Sequence, residues 1–159
     1  YGAWLENAFD ISVMALGAGT AVIGMAELCG EGLTAFLSDR LGLKKAVVIG
    51  AGLTVVNYTL LPFYGHSLFV AFTGIFILFL SVEFTIVTSI ALYTEILPNA
   101  RATMIAAVMA AAGLGRVAGA LAGGVIWLTG GIVATGVASA AVTGRALMAV
   151  LVGFSRWRD

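Results

Sequence analysis

The sequence predicts an all-α fold, a polytopic membrane helix bundle, on three observations. The chain is 61% hydrophobic and only 10% charged, with a mean hydropathy of +1.09. A water-soluble domain of 159 residues needs far more polar surface. The apolar residues gather into five long runs, and about 20 such residues span the hydrocarbon core as a helix. Short strands of alternating polarity, which a barrel requires, are missing from the pattern, so helices are the spanning form that remains.

Residues 1–10 read as an outer loop ahead of the bundle. The runs follow at 11–37, 46–64, 68–94, 102–128 and 132–154, and 155–159 form a tail. The breaks carry punctuation: SDRLGLKK, GHS, EILPNAR and TGG. Pro98 and the Thr129-Gly130-Gly131 turn are expected helix breakers, and Pro62 suits the end of the shortest run. The chain opens on Tyr1 with no signal peptide, which leads to the expectation of a processing site or a cut through a longer chain.

Charge sorts these breaks into two faces. Arg40, Lys44, Lys45, Arg101, Arg156 and Arg158 fall on one side; the other has Glu6, Asp10 and His66. The positive-inside rule makes the basic face cytoplasmic, with the N-terminus outside, the C-terminus inside and the protein integral to the cell membrane. The lipid bilayer is therefore its first partner. A net charge of zero argues against nucleic acid. The single cysteine, Cys29, forbids an internal disulfide and reads as packing within an apolar run. No metal-ligand cluster, Ser/His/Asp set or phosphate loop is visible, and no strand precedes the glycine-rich fourth run, so it is not a nucleotide fingerprint. The sequence thus calls for no cofactor and no metal, and argues against an enzyme or an ATP-driven pump.

Five ionisable residues lie inside the runs: Glu27, Glu31, Glu83, Arg116 and Arg145. At a rise of about 1.5 Å per residue, four are near mid-bilayer and Glu31 lies about 9 Å from the basic face. Charges at that depth face a bundle interior or a water-filled cavity and mark substrate and ion pathways. Thr20, Gly24, Glu27, Glu31, Thr34 and Ser38 share one helical stripe and should look inward. Glu83 lies on the side of Phe72, Phe76 and Phe79, with Ser81, Thr85, Thr88 and Ser89 opposite. An acid beside aromatic rings suits an organic cation; the rings packing against lipid while Glu83 bonds a neighbouring helix is the other reading. Arg116 sits among Ala112, Gly113, Gly119, Ala120 and Gly123, where backbones can approach closely. It needs an acid, which Glu27, Glu31 or Glu83 could supply as a fixed or a moving pair. Arg145 is expected to snorkel toward the surface. Three acids against two bases leave one carboxyl over, free to carry a proton.

The order of residues in the first basic turn adds a resemblance. Leu37, Asp39, Arg40, Gly42 and Lys44 match the major facilitator superfamily loop signature Gly-x-Leu-x-Asp-Arg-x-Gly-Arg-Lys; Ala35 and Leu43 depart from it. Glu95, Pro98 and Arg101 resemble the stretch that closes the family's tenth helix. The fourth run, with Gly113, Gly115, Gly119, Gly123 and Gly124, is similar to its glycine-rich eleventh. In order, the runs look like helices eight to twelve of a twelve-helix transporter. The resemblance implies alternating access, a missing N-terminal half as partner, and a cytoplasmic gating network of Asp39, Arg40, Gly42, Lys44, Glu95 and Arg101. Gly42 would allow the tight reversal; solvated topology anchors are the plainer reading of these charges. The function expected is secondary active transport of a small organic solute, as proton-coupled efflux, with Glu27, Glu31, Glu83, Arg116, Arg145, Phe76 and Phe79 on the substrate and proton pathway. A non-transporting membrane scaffold or assembly subunit held by structural ion pairs is the rival class.

Overall fold

The computed structural model describes residues 1–156, the side chain of Val13 excepted; Arg158 and the rest of 157–159 lie outside the described residues. The chain forms α1 (Gly2–Phe9), α2 (Val13–Leu41), α3 (Leu43–Leu60), α4 (Leu68–Ile96) and α5 (Arg101–Arg156). Short 3₁₀ turns occupy Leu61–His66 and Pro98–Ala100, and no strand occurs among the described residues. The expected all-α membrane bundle is what forms, and four stretches are long and apolar enough to cross a bilayer.

Residues 1–10 are not a loop. They form α1, whose Trp4 and Leu5 are buried in a core with Ala71 and Ile75. Trp4 meets Phe9 edge-on at 6.4 Å, and Asp10 ends the helix in the left-handed region (φ 48°), which Asp tolerates. Eight residues are too few to register as a span, yet two large apolar side chains suffice to dock them.

The Ser12 hydroxyl opens α2 by accepting a bond from the Ala15 amide at 3.3 Å. The helix continues four residues beyond its expected end and takes Ser38, Asp39 and Arg40 with it. The charged turn shrinks to Gly42, whose φ of 79° lets α3 begin at once. Pro62 lies in the first turn of the 3₁₀ segment after α3. Ser67 caps α4 as Ser12 caps α2, accepting from the Val70 amide.

A continuous α5 of 56 residues would be about 84 Å long, more than two hydrocarbon thicknesses. It is broken at Gly131 (φ 56°, ψ −143°). Gly119 and Gly123 from its first limb line one cavity with Ser139 and Thr143 from the second, so the chain folds back there. The expected three-residue turn is thus a one-residue break.

α4 is the central helix. It packs against α2 on one side and α3 on the other, and α3 packs against α5. Small residues set the crossings. A Cβ at Gly30 would lie 2.9 Å from the Leu80 carbonyl oxygen and 3.1 Å from the Phe84 nitrogen, so α2 and α4 touch backbone to backbone. Gly50 faces Phe84 and Thr85, and Gly136 faces the Tyr58 carbonyl. Buried side-chain polar atoms all have partners among the described residues: Tyr64 donates to Asn57 Oδ1 and Asn57 Nδ2 to the Leu53 carbonyl, both at 2.9 Å. The outer surface is apolar instead, as along Leu114, Leu121 and Leu128 on α5, the face a lipid-embedded helix presents.

Candidate functional site

Glu27 and Glu31 lie one helical turn apart on α2, either side of Gly30. Gly30 abuts Glu83 itself: a Cβ there would be 2.9 Å from Glu83 Cβ. The close approach of α2 and α4 therefore gathers three carboxylates, and Glu83 feels the charges of both Glu27 and Glu31. Glu27 and Glu83 are half-buried, and Glu31 is exposed.

The rotation of α2 differs from the expected inward stripe. Its buried face carries Gly19, Ala26, Gly30, Thr34 and Ser38. Thr34 meets Thr88 of α4 with hydroxyls 3.4 Å apart, while Glu31 and Thr20 lie open. Glycine lets the helices approach most closely, so the contact centres on Gly30 and leaves the acids on its flanks. Cys29 is exposed rather than packed. On α4, the Glu83 side meets α2: Phe72 reaches Gly19, and Phe72 and Phe79 pack onto the Trp4–Leu5 core. Phe76 is half-buried. The opposite side, with Thr85 and Phe84, meets α3 at Gly50.

The arginines do not join the acids. Arg116 and Arg145 belong to α5, whereas the acids meet where α2 crosses α4. Arg116 is exposed and lines a separate cavity of about 450 Å³ with Ser89, Tyr93 and Met109. It stands across α4 from the acid cluster, which the expected pairing did not foresee. Arg145 is exposed on the second limb of α5.

At the basic end, Gly42, Lys44 and Glu95 line one cavity of about 390 Å³ with Leu92. Arg101 Nε donates to the Thr94 carbonyl at 3.2 Å, which satisfies an orphan acceptor at the end of α4 and places a cation at the negative helix terminus. Asp39 and Arg40 are exposed on the last turn of α2. The turn, the end of α4 and the start of α5 thus share one end of the bundle.

A further cavity of about 390 Å³ joins Trp4, Tyr58, Leu78, Phe79 and Trp127, and among the described residues no charged side chain lines it. Sequence reasoning found only Phe79, because these residues come from α1, α3, α4 and α5. The signal available was the Trp and Tyr enrichment that marks helix ends near a membrane boundary. Phe79 lies one turn before Glu83, so an aromatic chamber borders the acid cluster.

No family model matches the chain, and no solved structure does. Among curated proteins, it is similar to an uncharacterised MFS-type transporter, YceJ, of Bacillus subtilis (strain 168), with 29% identity over 103 residues, or 65% of this chain. The match covers 26% of that protein, about a quarter of its length. Apolar spanning helices and this similarity together support a membrane protein with an MFS-like relationship.

Proposed function

We propose that this chain is part of a secondary active transporter that moves a small organic solute by alternating access, as proton-coupled efflux. It supplies helices eight to twelve, and an N-terminal half beyond this sequence supplies the rest of the pathway. The observation that carries the reading is the meeting of Glu27, Glu31 and Glu83 at the Gly30 crossing. Three carboxylates side by side within apolar helices have the capacity to hold and release a proton. Phe76 and Phe79 precede Glu83 on α4 and extend the site toward cationic or lipophilic solutes. Arg116 and Arg145, buried once the whole transporter surrounds them, balance charge along the pathway. Asp39, Arg40, Gly42, Lys44, Glu95 and Arg101 form the gating network on the cytoplasmic face, with the N-terminus of this segment outside and its C-terminus inside. Contacts among them hold one conformation and release in the other.

The test is transport by the protein of the complete reading frame in sealed vesicles under an imposed pH gradient. Glu83→Gln and Glu27→Gln are expected to lower the proton-driven rate by about tenfold or more while solute exchange without a gradient persists. Coupling that survives intact in both variants would sink the proton role.

A further inference from the structure

We infer that the aromatic chamber between α1, α3, α4 and the two limbs of α5 is a binding site for an uncharged, flat aromatic solute that carries one hydroxyl or amide group. Trp4 comes from α1, Tyr58 from α3, Phe79 from α4, and Trp127 and Ser139 from the two limbs. The chamber's volume of about 390 Å³ falls in the range of about 300–1,000 Å³ that small-molecule sites occupy. Trp4 makes its ring pair with Phe9, which does not line the chamber. Among the described residues Tyr58, Phe79 and Trp127 form no ring pair, so their aromatic surface is available to a guest.

The hydroxyls on the wall are a second, independent observation. Thr54 and Thr135 show the usual arrangement in a span, each closing back on its own helix: Thr54 donates to the Gly50 carbonyl at 2.9 Å and Thr135 to the Gly131 carbonyl at 2.8 Å. Among the described residues Tyr58 and Ser139 make no hydrogen bond, an unfavourable state for a hydroxyl among apolar helices. Both residues also line the adjoining cavity of about 290 Å³ between the limbs of α5. The rings of the solute thus lie among Trp4, Phe79 and Trp127, and its polar group lies at the junction, where each hydroxyl can donate and accept. An ion would lose its water and gain no counter-charge, since no charged side chain among the described residues lines the chamber. Gly123 borders both cavities, and a Cβ there would meet nothing within 4 Å, so the volume is open at that wall. The inference concerns binding alone and requires neither proton coupling nor a direction of transport.

The test is titration calorimetry on the protein of the complete reading frame in detergent. Four ligands share the same two rings: naphthol, methylnaphthalene, naphthoate and naphthylmethylammonium. Naphthol should bind saturably, and about tenfold more tightly than methylnaphthalene, which lacks the hydroxyl. Both charged ligands should bind more weakly than naphthol. Tyr58→Phe and Ser139→Ala should each bring naphthol toward the methylnaphthalene affinity and leave methylnaphthalene itself unchanged, which a general loosening of the fold would not do. Gly123→Leu fills the chamber at a helical position where a side chain meets no clash, and should abolish saturable binding of both neutral ligands. Its residual heat measures partition into detergent. Naphthol heats equal in wild type and Gly123→Leu, naphthol no tighter than methylnaphthalene, tighter binding of either charged ligand, or equal losses for both neutral ligands in the hydroxyl variants would each overturn the proposal. Should Gly123→Leu fail to fold, the ligand order in the wild type and Tyr58→Phe decide the matter.

Discussion

Gly30 has no side chain, and that vacancy positions the acids around it. Alanine there would drive a methyl group against the Leu80 carbonyl and the Phe84 amide of α4, and backbone cannot swing aside as a side-chain tip can. Gly30→Ala is expected to destabilise the bundle by about 1–3 kcal/mol, read as a lower thermal midpoint in detergent. Its coupled transport should fall as well, since Glu27 and Glu31 move away from Glu83. The individual acids were legible because a charge within an apolar run stands out against its surroundings. Their grouping was not: the 3.6-residue period relates side chains on one helix and is silent about which helix they meet. The same silence explains Arg116. Its small-residue face promised a close neighbour, yet it opens on the Tyr93 side of α4, away from the carboxylates. Gly42, by contrast, was readable as a reversal from residue type alone, and its φ is positive.

At the level of the element, α5 makes the strongest demand on one residue. Nothing lies within 4 Å of a Cβ at Gly131, so the cost of a side chain there comes from backbone conformation rather than from crowding. Gly131→Val should cost about 1–3 kcal/mol and loosen the fold-back of the two limbs. Cross-linking reads this directly. With exposed Cys29 replaced by serine, a Gly123→Cys/Ser139→Cys pair should be joined by a short bifunctional reagent, because both positions line the same cavity. The additional Gly131→Val change should reduce the yield; a pair that never joins would show that the limbs do not fold back. The glycine pair at 130–131 announced a turn, but that the two limbs would share a cavity with Tyr58 of α3 is something no local pattern encodes. The opposite error occurred at α1, where a segment too short for a span was docked by Trp4 and Leu5.

At the level of the whole molecule, the spans were readable because a bilayer filters sequences by composition. Charge sorting was readable too: Lys44, Lys45 and Glu95 meet at one end, and Trp4, Phe9, Tyr64 and Leu68 cluster at the other. The proposed direction of the molecule across the bilayer rests on the positive-inside rule. In sealed cells, cysteine placed at Glu6 should react with an impermeant maleimide, whereas cysteine placed at Lys45 should react only after permeabilisation; the reverse pattern would invert the topology. The proposed transport pathway was least legible, since the match to the Bacillus transporter accounts for only about a quarter of that protein. Exposed Glu31 and Arg116 are the sort of surface that a further part of such a protein would cover.

A joint of one residue leaves no slack. Because α2 passes into α3 through Gly42 alone, neither helix can slip lengthwise past the other, and tilting about that point is the motion left to them. Asp39 and Arg40, on the last turn of α2, then stay close to the pivot. A small angular change about Gly42 grows along α2 into a larger shift at Gly30 and a larger one still at the Ser12 end, so mechanical gain is set by the distance along the helix from one glycine.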